Sequence, residues 1–165
     1  MNTSQKKFIK LFSFLFIFII LIIFLKINKY NKEAEVLAAS KLITVNLLTS
    51  THPNLPWSFK PVKNKIKVKP GEVVSIEYLV ENTGNKDSTG IATFAYFPNE
   101  VGDYISKLNC FCYDAQTLKP AEKDTFAVVL MIDPEVTKNS RTKNVKEVTI
   151  QFTFFDYKEY KENKS

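Results

Sequence analysis

The sequence predicts an all-β fold: an immunoglobulin-like antiparallel β-sandwich preceded by one N-terminal transmembrane helix. Three observations lead there. Seven or so short apolar stretches follow one another between residues 42 and 156, several of them alternating with period two. Turn signals rich in Pro, Gly, Asn and Asp separate them. Upstream, Leu11 to Leu25 is apolar throughout except for Ser13.

The chain divides accordingly. Residues 1–10 form a short N-tail with Lys6, Lys7 and Lys10. Residues 11–27 are the expected membrane helix, because a span needs about 20 largely apolar residues and lysines at its ends reach the headgroups. The rival is a cleaved signal peptide. The small residues Ala38-Ala39-Ser40 lie well past Leu25, which favours an uncleaved signal-anchor. Lysines flank both ends, so the positive-inside rule leaves orientation open. Residues 28–41 are a polar tether without Gly or Pro, suited to continuing a helix.

Residues 42–156 carry the β pattern. Leu42 to Leu48 is the first strand, and His52-Pro53-Asn54-Leu55-Pro56 is a connection that Pro bars from a helix interior. Trp57 to Lys60, Ile66 to Val68, Val73 to Val80 and Gly90 to Phe97 follow as strands, with Lys69-Pro70-Gly71-Glu72 as a turn and Glu81 to Asp87 as a polar loop. Asn99 to Asp114 reads as more loop than ladder, and 117–123 as a turn. Thr125 to Ile132 and Glu147 to Phe155 are the closing strands, and residues 157–165 are a charged tail expected to fray. No helix of any length is needed.

The chain has 165 residues and a formal net charge of +6, with 23 basic and 17 acidic residues. Seven of the basic residues flank the greasy segment, and the β region is close to neutral with its signs interspersed. Nucleic-acid binding, which wants a basic patch on the folded domain, is disfavoured. There is no Walker loop, no H-E-x-x-H and no nucleophile elbow, so an enzyme is not expected.

The chemistry concentrates in Asn109-Cys110-Phe111-Cys112-Tyr113, which holds the only two cysteines. In an extended strand their Cα atoms would lie roughly 6.5–7 Å apart, at the long end of disulfide geometry, so a disulfide requires a sharp local bend. Thiolates select soft metals such as Cu(I) or Zn, and two ligands are too few for structural zinc. Three readings of the pair stand side by side: buried core thiols, a redox pair, or soft-metal ligands. His52, the single histidine, reads as structural or simply exposed, and Met131 as core packing. Trp57 packs inside or faces a partner. Lys107 is a cation near the pair, able to lower a thiol pKa, and Phe111 a shield from water.

Several gapped motifs in order carry a resemblance. His52-Pro53-Asn54-Leu55-Pro56-Trp57-Ser58-Phe59-Lys60-Pro61, Val68-Lys69-Pro70-Gly71-Glu72, Lys107-Leu108-Asn109-Cys110-Phe111-Cys112, Gln116-Thr117-Leu118 with Pro120 and Glu122, Asp133-Pro134-Glu135 and Thr153-Phe154-Phe155 together resemble the CtaG family of cytochrome c oxidase assembly factors. The resemblance runs from about Ile43 to Phe155. It implies a copper chaperone with a membrane anchor, whose N-terminus is cytoplasmic and whose immunoglobulin-like domain is periplasmic, at the bacterial inner membrane. It implies Cu(I) on Cys110 and Cys112, delivered to the copper B site in subunit I of a haem–copper oxidase. A copper-linked homodimer and an upstream copper donor or thiol reductant are further implied partners. One departure stands out: family members usually carry another cysteine just after the membrane helix, whereas Lys29 to Lys41 contains none. The alternatives are a thiol–disulfide oxidoreductase using the same pair, and a structural envelope domain.

Overall fold

The computed structural model describes residues 16–32 and 42–163. The N-tail 1–10, the first part of the apolar segment (11–15), most of the tether (33–41) and the last two residues lie outside the described residues. Backbone contacts divide the chain into two units, Met1–Ala38 and Ala39–Ser165.

The described part of the first unit is a helix, α1 (residues 16–32), exposed along its whole length. Among the described residues no helix is long and apolar enough to cross a membrane.

The described residues of the second unit form nine strands: β1 (Ile43–Thr51), β2 (Trp57–Pro61), β3 (Lys65–Val68), β4 (Val73–Asn82), β5 (Ser88–Phe97), β6 (Ile105–Cys110), β7 (Gln116–Leu118), β8 (Lys123–Ile132) and β9 (Glu147–Asp156). One sheet runs β3-β1-β9-β5-β7 and the other β2-β4-β8-β6. The alternation in the sequence explains why these segments pair. Phe126, Val128, Leu130 and Ile132 of β8 and Val148, Ile150, Phe152 and Phe154 of β9 are buried, and the residues between them are not. Each such side chain taken out of water contributes about 1.5–3 kcal/mol. Met131 lies on the other phase of β8, half-buried, with Val73 and Ser106 as its register partners. It is not core packing.

The expected all-β, antiparallel immunoglobulin-like sandwich is not what forms, and the expected transmembrane helix lies partly outside the described residues. The fold is mixed α/β, with one of its two sheets an open half-barrel. The first and last strands, β1 and β9, pair in parallel, from Thr44 opposite Glu147 to Thr51 opposite Phe154. Alternation specifies which residues face inward but not the direction of a strand's neighbour. Helical segments appear where turn, loop or tail is expected: 3-10 turns at Asn99–Tyr104, Phe111–Tyr113 and Pro134–Thr137, and α2 (Tyr157–Glu162). The carboxylate of Asp156 accepts hydrogen bonds from the backbone N–H groups of Lys158 and Glu159. That side-chain cap satisfies amide donors that a first helical turn leaves open. Asn99 to Asp114, expected as loop, contains β6, and the expected turn 117–123 is partly β7.

Candidate functional site

β6 ends at the cysteines. It pairs antiparallel with β8, Ile105 opposite Ile132 and Cys110 opposite Val128, with a register shift between Lys107 and Asn109. Leu108 is the extra residue and is exposed. The bulge explains a parity that a regular strand cannot have. Ile105 and Cys110 are both buried although five positions apart, because one inserted residue swaps the faces.

After Cys110 the chain turns at once into the 3-10 turn Phe111–Tyr113. A 3-10 turn rises about 2.0 Å per residue against about 3.3 Å for a strand. The Cα atoms of Cys110 and Cys112 therefore come to 5.0 Å, and the two are joined as a disulfide. The bend that the sequence alone left unspecified is this turn. The backbone N–H of Cys112 donates to Cys110 Sγ at 3.1 Å. Cys110 is 4% exposed, while Cys112 is only half-buried at the core's margin.

Phe111, between them, points inward. Its ring centroid lies 5.0 Å from Phe152, 5.5 Å from both Tyr78 and Phe126, and 5.7 Å from both Phe59 and Phe154. It is a core plug that pins the turn to both sheets. The Gln116 side-chain amide donates to the carbonyls of Phe111 and Asp114 at 3.2 and 3.3 Å. The Tyr113 hydroxyl donates to the Lys107 carbonyl at 2.7 Å, closing the chain around the pair. Neither Tyr113 nor Gln116 was singled out by the sequence. Tyr113 stood out only by position beside the cysteines, and Gln116 only as part of a motif of the family resemblance.

The structure brings Cys110 and Cys112 together with Phe111 between them and places the side chains of the other candidates elsewhere. The Lys107 ammonium sits over Phe94, 2.8 Å from the ring centroid, and donates to the Tyr96 hydroxyl at 3.1 Å. His52 Nδ1 lies 3.7 Å from Glu159 Oε2, and the ring stacks on Phe155. Trp57 is buried, packs on Phe154 and donates its indole N–H to Ser88 at 2.8 Å. Among the described residues no group of three or more His, Cys, Asp or Glu side chains is placed to hold a metal ion.

Burial brings the Lys107 pKa down to about 8. Below about pH 8 the folded chain keeps this half-buried charge and carries its desolvation penalty in full. As pH rises from there toward the ordinary lysine range, the unfolded chain binds more protons than the folded one, and stability rises. The difference in unfolding free energy between the natural chain and Lys107→Met is therefore expected to shift in favour of the natural chain between about pH 8 and 10. Parallel denaturation series across that range check it; a flat difference contradicts the assignment.

A disulfide-bonded cysteine pair at the margin of a two-sheet core is the chemically distinctive feature of this domain. Comparison with known proteins gives its family. The family "Cytochrome c oxidase assembly protein CtaG/Cox11" matches residues 23–156. The chain is 36% identical over 138 residues to the cytochrome c oxidase assembly protein CtaG of Sinorhizobium fredii, spanning 80% of this chain and 69% of that protein. It is 34% identical to the CtaG protein of Rhizobium johnstonii, over 81% of this chain and 69% of that one. It is 36% identical to the mitochondrial assembly protein COX11 of Mus musculus, over 77% of this chain and 45 to 46% of the mammalian proteins of that name. A solved structure, PapD-like domain 7 of human CEP192, is similar at a TM-score of 0.30 and 12% identity over 72% of this chain and 86% of that one, too distant to bear on fold or function. The chain belongs to the CtaG/Cox11 family of cytochrome c oxidase assembly proteins. That family is one of cytochrome c oxidase assembly factors, not enzymes.

Proposed function

We propose that, within that assembly role, Cys110 and Cys112 of the domain at residues 42–156 work as a stoichiometric thiol–disulfide couple. The observation that carries this is the bonded pair at a Cα separation of 5.0 Å, held by a turn anchored through Phe111. Conversion to the dithiol takes two electrons and two protons from an external dithiol reductant. A periplasmic setting, where disulfides form and persist, suits the oxidised state. The apolar run of residues 11–25 supports a membrane-held chain, and family membership supports the bacterial inner membrane with the N-terminus in the cytoplasm and this domain in the periplasm.

The chemistry of the donors favours a second reading that follows on the first. Once reduced, the same two sulfurs are soft ligands for Cu(I), carried as cargo to the copper B site of oxidase subunit I. A second copy of the chain then supplies the remaining sulfurs in a copper-linked dimer. Transfer proceeds by ligand exchange, with the thiolates giving up copper stepwise to ligands on the oxidase.

The test is a Cu(I) titration of the full chain in detergent against a competing chelator, before and after dithiothreitol, with oligomeric state followed throughout. Tight stoichiometric binding only after reduction, lost in Cys110→Ser and Cys112→Ser, is the expected result for both readings together. Reduction without competitive copper binding removes the carrier reading and leaves the couple. A disulfide that dithiothreitol cannot open removes the couple. Oxidase assembly that is unaffected when both cysteines become serine would leave only a structural role for the domain.

A further inference from the structure

The two sulfurs of the pair are not equivalent, and their difference assigns an order to the exchange. We infer that a thiol enters this disulfide at the Cys112 sulfur and expels Cys110 as the thiolate; this deepens, and rests on, the thiol–disulfide reading above. Cys110 ends β6, is 4% exposed and faces the core opposite Val128. Cys112 lies one residue past the core plug Phe111, at the margin, and keeps access to solvent. An attacking thiolate needs a path to one sulfur and a stabilised departure for the other. The path leads to Cys112. The departure is prepared at Cys110, whose sulfur already accepts the Cys112 backbone N–H at 3.1 Å. That bond strengthens when its acceptor takes on negative charge. The loop is held for this by the Tyr113 hydroxyl on the Lys107 carbonyl and the Gln116 amide on the Phe111 carbonyl.

The electron count closes with a donor dithiol. One donor thiolate forms an S–S bond to Cys112, the Cys110–Cys112 bond breaks, and its electron pair stays on Cys110. The second donor thiol loses its proton and its thiolate attacks the donor sulfur of the mixed disulfide. Cys112 then leaves as a thiolate, and the donor becomes a disulfide. The donor has lost two electrons, and its two protons pass to solvent or to the new thiolates. The mixed disulfide is carried by Cys112, and Cu(I) loading onto the reduced pair begins from the same exposed side.

The experiment uses the full chain in detergent micelles. Cys110→Ser and Cys112→Ser, each checked for native circular dichroism, are reacted with oxidised glutathione under pseudo-first-order conditions. Cys112 in Cys110→Ser is expected to form the mixed disulfide at least about tenfold faster than Cys110 in Cys112→Ser, reflecting access to the thiol. A measurement without substitutions guards against misfolding: the reduced natural chain is labelled with substoichiometric iodoacetamide and the label mapped by mass spectrometry. Predominant label on Cys112 supports the order. Equal label, or more on Cys110, overturns it while leaving the couple intact. A disulfide that stays closed under excess dithiothreitol in the natural chain fails the couple itself, and the order falls with it.

Discussion

Phe111→Ala is expected to destabilise the chain by about 3–5 kcal/mol, the range for emptying a buried aromatic site. Few positions in the domain touch so much. Its ring meets Phe59 of β2, Tyr78 of β4, Phe126 of β8 and both Phe152 and Phe154 of β9, so one side chain bridges both sheets. The surrounding rings are anchored in separate strands and collapse only partly into the void, so the cavity adds to the lost transfer energy. Urea unfolding of the full chain checks this: the midpoint falls while the slope is kept, as for a loss of stability without a change in the surface exposed. Phe111→Leu keeps most of the apolar volume and costs about half as much. The functional consequence follows from position. With the plug removed, the 3-10 turn loses its hold on the core, and the difference in access between Cys110 and Cys112 narrows. A Phe111→Ala chain as stable as the natural one would mean that the turn is held by its hydrogen bonds alone.

The second large effect is expected at Asn82, which the sequence places in a polar loop and the structure buries completely at the end of β4. Its side-chain amide donates to the carbonyls of Lys86 and Leu118, both at 2.9 Å, and its Oδ1 accepts the Gly84 N–H at 2.9 Å. One side chain thus folds the 83–87 loop back on itself and ties it to β7. Asn82→Ala removes all three bonds and leaves buried groups without partners, a loss of about 2–4 kcal/mol. Asn82→Asp is worse despite its shape. A carboxylate donates to neither carbonyl, and its charge enters a site that water does not reach. Thermal unfolding of the two variants side by side tests the ranking. If Asp were tolerated better than Ala, the two donated bonds would not be what holds the loop.

Both positions show where local reading stops. The alternations Val148, Ile150, Phe152, Phe154 and Val74, Ile76, Tyr78 made β9 and β4 legible as half-buried strands, because a two-sheet core accepts only one phase of a strand. Pro and Gly marked the connections because they constrain the backbone directly. The cysteine pair was legible as the candidate site because no other residues of its kind exist in the chain, and the family could be read from motifs spread over the whole domain.

What these residues do not carry locally is the relation between distant segments. The parallel pairing of β1 with β9 joins strands about 100 residues apart, and nothing within either strand states its neighbour's direction. The bulge at Leu108 exists only against β8, and it alone lets Ile105 and Cys110 share the interior. Charged residues after Asp156 read as a fraying end, yet the Asp156 carboxylate caps them into α2. Cys-Phe-Cys as a sequence permits core thiols, a redox pair or metal ligands. By itself the sequence determined the inward phase of the strands, the connections between them and where its two cysteines stand, through composition and pattern. The tertiary structure decided that Phe111 turns inward and the cysteines close on each other, because the core offers a cavity that one aromatic ring fills and a strand cannot turn that ring inward without bending the chain at the pair.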